Sequence, residues 1–245
     1  MTTRTEESPS PAGVSAQPDL VLLGLLSVVA GLTDVIGFLR VGHVFTAHIT
    51  GNLVVMADEI ANGGPPHVAQ LLSIPVFVIA VALAHLLVLQ TRASRGRLPL
   101  LVGQAALLVL VVYFAVRAND LGGPSPPQQI LAAMLAVAAM AFQNAFVRVS
   151  LRESATTSVM TGNVATSVIA LLALVSLVPW THDEAADRLR RTVPLVVGFF
   201  AGCAIGAVAA THLGPWAWSL PALLALAAIP VGVRVPAPLT PQLGR

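Results

Sequence analysis

Two stretches decide how this chain folds: Phe45-Thr46-Ala47-His48-Ile49-Thr50-Gly51-Asn52-Leu53-Val54-Val55-Met56 and Thr156-Thr157-Ser158-Val159-Met160-Thr161-Gly162-Asn163-Val164-Ala165-Thr166-Ser167-Val168. In each, a polar Thr-Gly-Asn sits inside apolar sequence and leads into a run able to form a helix. Glycine permits a sharp turn, and asparagine is a favoured helix N-cap because its side-chain oxygen accepts from an orphaned backbone N–H. The motif therefore predicts two helices that start at Asn52 and Asn163 within an apolar environment.

The flanking sequence repeats as well. Gly51 and Gly162 are 111 residues apart, and Leu32-Thr33-Asp34-Val35-Ile36 aligns with Phe142-Gln143-Asn144-Ala145-Phe146 at a spacing of 110. Downstream, Ser73-Ile74-Pro75 aligns with Thr192-Val193-Pro194 at 119, and the last apolar segments start near Pro99 and Pro215. The chain reads as two copies of one unit.

Of 245 residues, 56% are hydrophobic and 10% charged, and the mean hydropathy is +0.84. A soluble domain carries about a quarter charged residues, so this composition requires an integral membrane protein with the lipid bilayer as its first partner. All 13 basic residues are arginines and the net charge is +2, too little to imply nucleic acid. Cys203 is the single cysteine, so no intramolecular disulfide forms and neither a metal cluster nor another cofactor is expected.

Segments of spanning length, about 20 residues, read at Leu20–Leu39, Ala69–Leu89, Leu98–Val116, Gln129–Val147, Val193–His212 and Trp216–Val233. The two motif helices are shorter. Asn52 to Ile60 gives roughly 13 Å at 1.5 Å per residue, and Asn163 to Leu177 roughly 22 Å, against a hydrocarbon core of about 30 Å. The second reaches full span only if the residues from Thr156 join it.

Arginine placement favours six spans over eight. With both motif helices entering and leaving on one side, Arg4, Arg92, Arg95, Arg97, Arg148, Arg152, Arg188, Arg190, Arg191, Arg234 and Arg245 share a face with both termini, and Arg40 and Arg117 face the other. Short arginine-rich loops stay cytoplasmic. Residues 1–18 and 235–245 are then cytoplasmic tails, 19–117 the first membrane repeat and 128–234 the second. The expected fold is all-α and integral to the membrane: six transmembrane helices plus two re-entrant half-helices, in two inverted repeats of three spans each.

Gly31-Leu32-Thr33-Asp34-Val35-Ile36-Gly37-Phe38, the Phe45 to Asn52 stretch, Gln143-Asn144-Ala145 and Thr161-Gly162 together resemble the YoaK-like family of small bacterial membrane proteins of unknown function. The resemblance covers nearly the whole chain after residue 19. It implies a multi-pass inner-membrane protein and supplies no substrate or mechanism.

The candidate site follows from the residues. Irregular backbone at membrane depth is tolerated only inside protein or beside an aqueous cavity, so Thr50, Gly51, Asn52, Thr161, Gly162 and Asn163 are expected to line a solute site, with His48 on its approach. The competing reading makes them buried caps. Asp34 is the one acidic residue inside a confident span and Asn144 is its repeat mate, a pairing that suits proton coupling; the alternative pairs Asp34 with Arg40 near the interface. Gly198, Gly202, Gly206 and Ala210 form a small-residue ladder for close helix packing. With no catalytic set in view, the function expected is passage of a small polar or anionic solute, and the alternative is a non-transporting scaffold. Association with further copies is left open.

Overall fold

The structure, a computed structural model of the chain, describes residues 16–64, 68–90, 98–120, 126–150 and 160–234. The tails at 1–15 and 235–245, the segments 65–67, 91–97, 121–125 and 151–159, and with them Arg4, Arg92, Arg95, Arg97, Arg152, Arg245 and Thr156, lie outside the described residues.

The described residues form eight α-helices: α1 Ala16–Arg40, α2 Gly51–Ala61, α3 Val68–Gln90, α4 Leu98–Asp120, α5 Pro126–Ser150, α6 Met160–Leu174, α7 His182–His212 and α8 Ser219–Arg234, the last preceded by a 3-10 turn at Gly214–Trp218. Six are long and apolar enough to cross a bilayer, namely α1, α3, α4, α5, α7 and the turn joined to α8. At 11 and 15 residues, α2 and α6 fall short of the roughly 20 needed. One helix departs from the hydropathy reading: α7 starts at His182, 11 residues before Val193, because Thr181 and Glu184 form a capping box that starts a helix in charged sequence.

Buried apolar residues stack in three levels. The lower level joins Leu22 and Leu26 of α1, Ala84 of α3, Leu101 of α4, Phe146 of α5, Leu195 of α7 and Ala228 of α8. The middle holds Val29, Leu108, Met140 and Ala225. The upper joins Leu32 and Ile36 of α1, Ala69 of α3, Val111 of α4, Ala133 of α5, Ala209 of α7 and Trp218. Residue numbers thus rise upward in α1, α4 and α7 and downward in α3, α5 and α8. Consecutive long helices alternate in direction, α2 connects two upper ends and α6 connects two lower ends. Eight crossings would make α4 and α8 parallel, whereas Leu101 beside Gly232 and Val111 beside Trp218 place them antiparallel.

Helix partners are exchanged between the halves. α1 packs on α7 as α5 packs on α3, α1 on α8 as α5 on α4, and α2 on α3 as α6 on α7. The α1 and α7 contact is a glycine seam: a Cβ on Gly202 would strike the Val28 carbonyl, and one on Gly31 would strike the Phe199 carbonyl. The expected small-residue ladder is this seam. Of the described arginines, Arg148, Arg188, Arg190, Arg191 and Arg234 lie at the lower end and Arg40 and Arg117 at the upper.

These directions set a first test. In a Cys203→Ala background, single cysteines at Asn62 and Asn119 should react with an impermeant maleimide from the same membrane side, and those at Gln90 and His182 from the opposite one. Reaction of positions 62 and 90 from one side would overturn the alternation.

Candidate functional site

Asp34 lies in the upper half of α1, 2% exposed. A carboxylate in such a position needs partners, and the segment between α1 and α2 supplies them. Gly42 and His43 both adopt positive φ, at 74° and 54°, which turns the chain back from Arg40 toward the bundle interior. The backbone N–H groups of Thr46 and Ala47 then donate to Asp34 Oδ1 at 2.7 and 2.6 Å, and the Thr46 hydroxyl donates to the same oxygen at 3.2 Å. His48 Nδ1 meets Oδ2 at 2.6 Å. The carboxylate thereby pairs the very N–H groups that a helix or sheet would otherwise have to satisfy. The alternative partner, Arg40, instead reaches Gly214.

Asn52 is 1% exposed and is not a cap. α2 begins one residue earlier, at Gly51, and its Thr50 N-cap makes no side-chain bond. The first N–H groups are met by a preceding turn: Gly51 donates to His48 O, Asn52 to Ile49 O and Leu53 to Thr50 O. With the helix start satisfied, the Asn52 side chain is free to grip the incoming chain. Its Oδ1 accepts from Phe45 N at 2.7 Å, and its Nδ2 donates to Phe45 O at 2.8 Å and to Ser73 Oγ of α3 at 2.9 Å. The donors at this helix terminus are therefore already engaged within the protein.

At the second motif Thr161, Gly162 and Asn163 lie inside α6, which is described from Met160, so Asn163 is again no cap. Thr161 and Gly162 are exposed and Asn163 is buried. Ser167 Oγ lies 2.8 Å from Asn163 O and 2.7 Å from Thr192 Oγ1 of α7; with the Thr192 hydroxyl donating to its own helix, the Ser167 hydroxyl donates to Thr192. Ser73 and Thr192, which align in sequence, each stand two residues before a helix proline and each donate to a carbonyl of their own helix, Gln70 O and Arg188 O. Each short helix is thus latched to the long helix that follows it.

Both motifs arrive at Phe199, near the middle of α7. The His48 and Phe199 rings meet edge-on with centroids 5.0 Å apart. Phe199 also lines, with Met160, Thr161, Val164, Val196 and Phe200, a cavity of about 260 Å³. α2 and α6 themselves do not pack together, so Phe199 stands between the halves. Asn144 lies elsewhere: its Oδ1 accepts from Arg148 Nε at 2.8 Å, toward the lower end, while Asp34 is in the upper half. Thr50 is exposed at the start of α2.

Sequence reading missed Phe199, which resembles any apolar residue of a span, and the buried pair Gln104 and Gln143, in which Gln104 Nε2 donates to Gln143 Oε1 at 2.7 Å and Gln143 Nε2 to Leu26 O at 2.9 Å. The alignment of Ser73 with Thr192 was the signal available for the latches.

A helical bundle with six helices of spanning length and polar side chains held in its interior defines a multi-pass membrane protein. Residues 22–231 match the DUF1275 family, described as proteins of unknown function, and the chain belongs to it. It is also 32% identical over 117 residues to the UPF0700 transmembrane protein YoaK of Bacillus subtilis (strain 168), a match covering 47% of this chain and 51% of that protein. The aligned part thus spans about half the length of that relative. No solved structure matches the chain.

Proposed function

We propose that this protein moves a small polar or anionic solute across the bacterial inner membrane, as a channel or proton-coupled transporter, between two re-entrant half-helices of two inverted three-span repeats. Three crossings per half is an odd number, so a duplicated unit lies upside down relative to its copy. The exchanged helix partners and the opposite ends served by α2 and α6 support that symmetry. The arginine-rich lower end is the cytoplasmic side by the positive-inside tendency, which puts both termini in the cytoplasm.

The observation that carries the reading is Phe199, in ring contact with His48 on one side and lining the Thr161 cavity on the other. Polar groups from both motifs thereby flank a single apolar ring at membrane depth, an arrangement that packing alone does not require. Of the motif residues, Gly51 donates its N–H to His48 O and Thr161 lines the cavity, while Gly162 and Asn163 follow Thr161 in α6 without lining it. Thr161→Phe places a ring into the cavity from an exposed first turn. In a screen of polar and anionic solutes with reconstituted vesicles, it should lower uptake about tenfold if the lost space raises the barrier by about 1.4 kcal/mol.

The scaffold reading rests on a different observation: the donors at the start of α2 and all three polar contacts of Asn52 are used within the protein. Uptake of every tested solute at the rate of empty vesicles would make that reading the better one.

A further inference from the structure

The geometry points to His48, rather than Asp34, as the group that takes up and releases a proton in this pathway, with Asp34 positioning it and the Phe199 ring separating it from the Thr161 cavity. This inference rests on the pathway reading and names the proton-carrying group within it.

Asp34 is already committed. Its Oδ1 takes three donors from Thr46 and Ala47 and its Oδ2 faces His48, and only 3% of its side chain is exposed. A group so enclosed cannot exchange protons with a cavity unless the loop leaves it. The imidazole differs, with 29% of its side chain exposed. Because Nδ1 faces a carboxylate oxygen, the neutral ring keeps its proton on Nδ1 and leaves Nε2 as an open base.

Uptake of one proton at Nε2 converts a neutral imidazole and a carboxylate into an imidazolium and carboxylate pair. The dyad moves from one negative charge to none, and release at Nε2 restores it; no other bond changes. The loaded state is therefore the one better suited to an apolar surrounding. Among the described residues Asp34 is the charged group acting on His48. α7 presents Phe199 to the ring and places Cys203 within electrostatic reach of Asp34. His43, on the same loop, is exposed and stacks on Phe38.

The apolar Phe199 ring meets the imidazole edge-on and also lines the cavity. A ring held against an imidazole is held differently against an imidazolium, whose N–H edges and charge favour an aromatic face. Protonation of His48 thus changes the seating of Phe199 and, with it, the shape of the cavity that Phe199 and Thr161 line.

The test uses a thiol at the cavity: Thr161→Cys in the Cys203→Ala background, in vesicles, reacting with an impermeant maleimide between pH 5 and 8. Rates are normalised to an exposed cysteine at Gln90 to remove thiol ionisation. Normalised labelling should change several-fold across this range, lose its pH dependence in His48→Gln and become fast and pH-independent in Phe199→Ala. In Asp34→Asn the midpoint should fall, since loss of an opposite charge disfavours the imidazolium. Thermal melts of the same samples establish that each variant is folded; should His48→Gln fail to fold, the Asp34→Asn midpoint decides. Labelling that is pH-independent in the parent, equally pH-dependent in His48→Gln, or unmoved in Asp34→Asn would overturn the role of His48 while leaving the pathway in place. Failure of Thr161→Cys to react at any pH, Phe199→Ala included, would remove the pathway itself.

Discussion

Gly202→Ala is expected to yield little or no folded protein, an effect far larger than one added methyl group has in an ordinary core. Its Cβ would strike the Val28 carbonyl and lie 3.1 Å from Leu32 N, and both obstacles are backbone, so no rotamer change relieves them. Gly31 presents the reciprocal problem against Phe199 O and, at 2.9 Å, Cys203 N. Relief requires α1 and α7 to separate along their shared seam, which also displaces Phe199 from His48.

Overpacking an ordinary core costs about 1–3 kcal/mol, and a clash between two backbones lies at or above the top of that range. The gain of about 1 kcal/mol from replacing a helical glycine by alanine does not offset it. Gly24→Ala, one seam position lower, is the control: its Cβ would find Pro194 O at 3.8 Å, an ordinary contact, so this variant should melt at or above the parent temperature. Size-exclusion profiles and melting curves in detergent read both, and parent-like behaviour of Gly202→Ala would mean that the two helices do not approach this closely.

Asn52→Ala should cost about 3 kcal/mol, roughly three times the about 1 kcal/mol lost with a simple cap. The substitution leaves the Phe45 N–H and C=O without their partners in the interior, at about 1–3 kcal/mol for each unsatisfied group, besides losing the bond to Ser73. Ser73→Ala removes only the last contact and its own back-bond to Gln70, and should cost about 1 kcal/mol. Because the Phe45 pair anchors the segment that carries Thr46, Ala47 and His48, Asn52→Ala should also release that segment from Asp34. Proteolysis after His43 is the readout, accelerated in Asn52→Ala and unchanged in Ser73→Ala. Equal stabilities for the two variants would show that the Phe45 bonds contribute nothing.

Much of this fold is determined by local sequence because the bilayer imposes a simple criterion. Helices of spanning length must be apolar, so hydropathy places α1, α3, α4, α5 and α8 within a few residues of where they lie, and the Thr-Gly-Asn repeats mark the two helices too short to cross. The start of α7 escaped that criterion because His182–Thr192 is charged, and a capping box rather than hydropathy starts it.

The duplication we propose rests, too, on the spacing of Ser73 with Thr192 and of Asp34 with Asn144. What each motif does was decided only by tertiary structure. Composition identifies Asp34 as costly and in need of partners, yet two αL residues aim the loop so that Thr46, Ala47 and His48 become those partners in place of Arg40. Asn52 has the right chemistry for a cap, but a turn had already satisfied the helix start, and the side chain went to Phe45. Phe199 carries no mark in the sequence at all. Its place between His48 and Thr161 depends on how closely Gly31 and Gly202 let α1 and α7 approach, and close approach is a property of two helices together, which neither one's sequence contains.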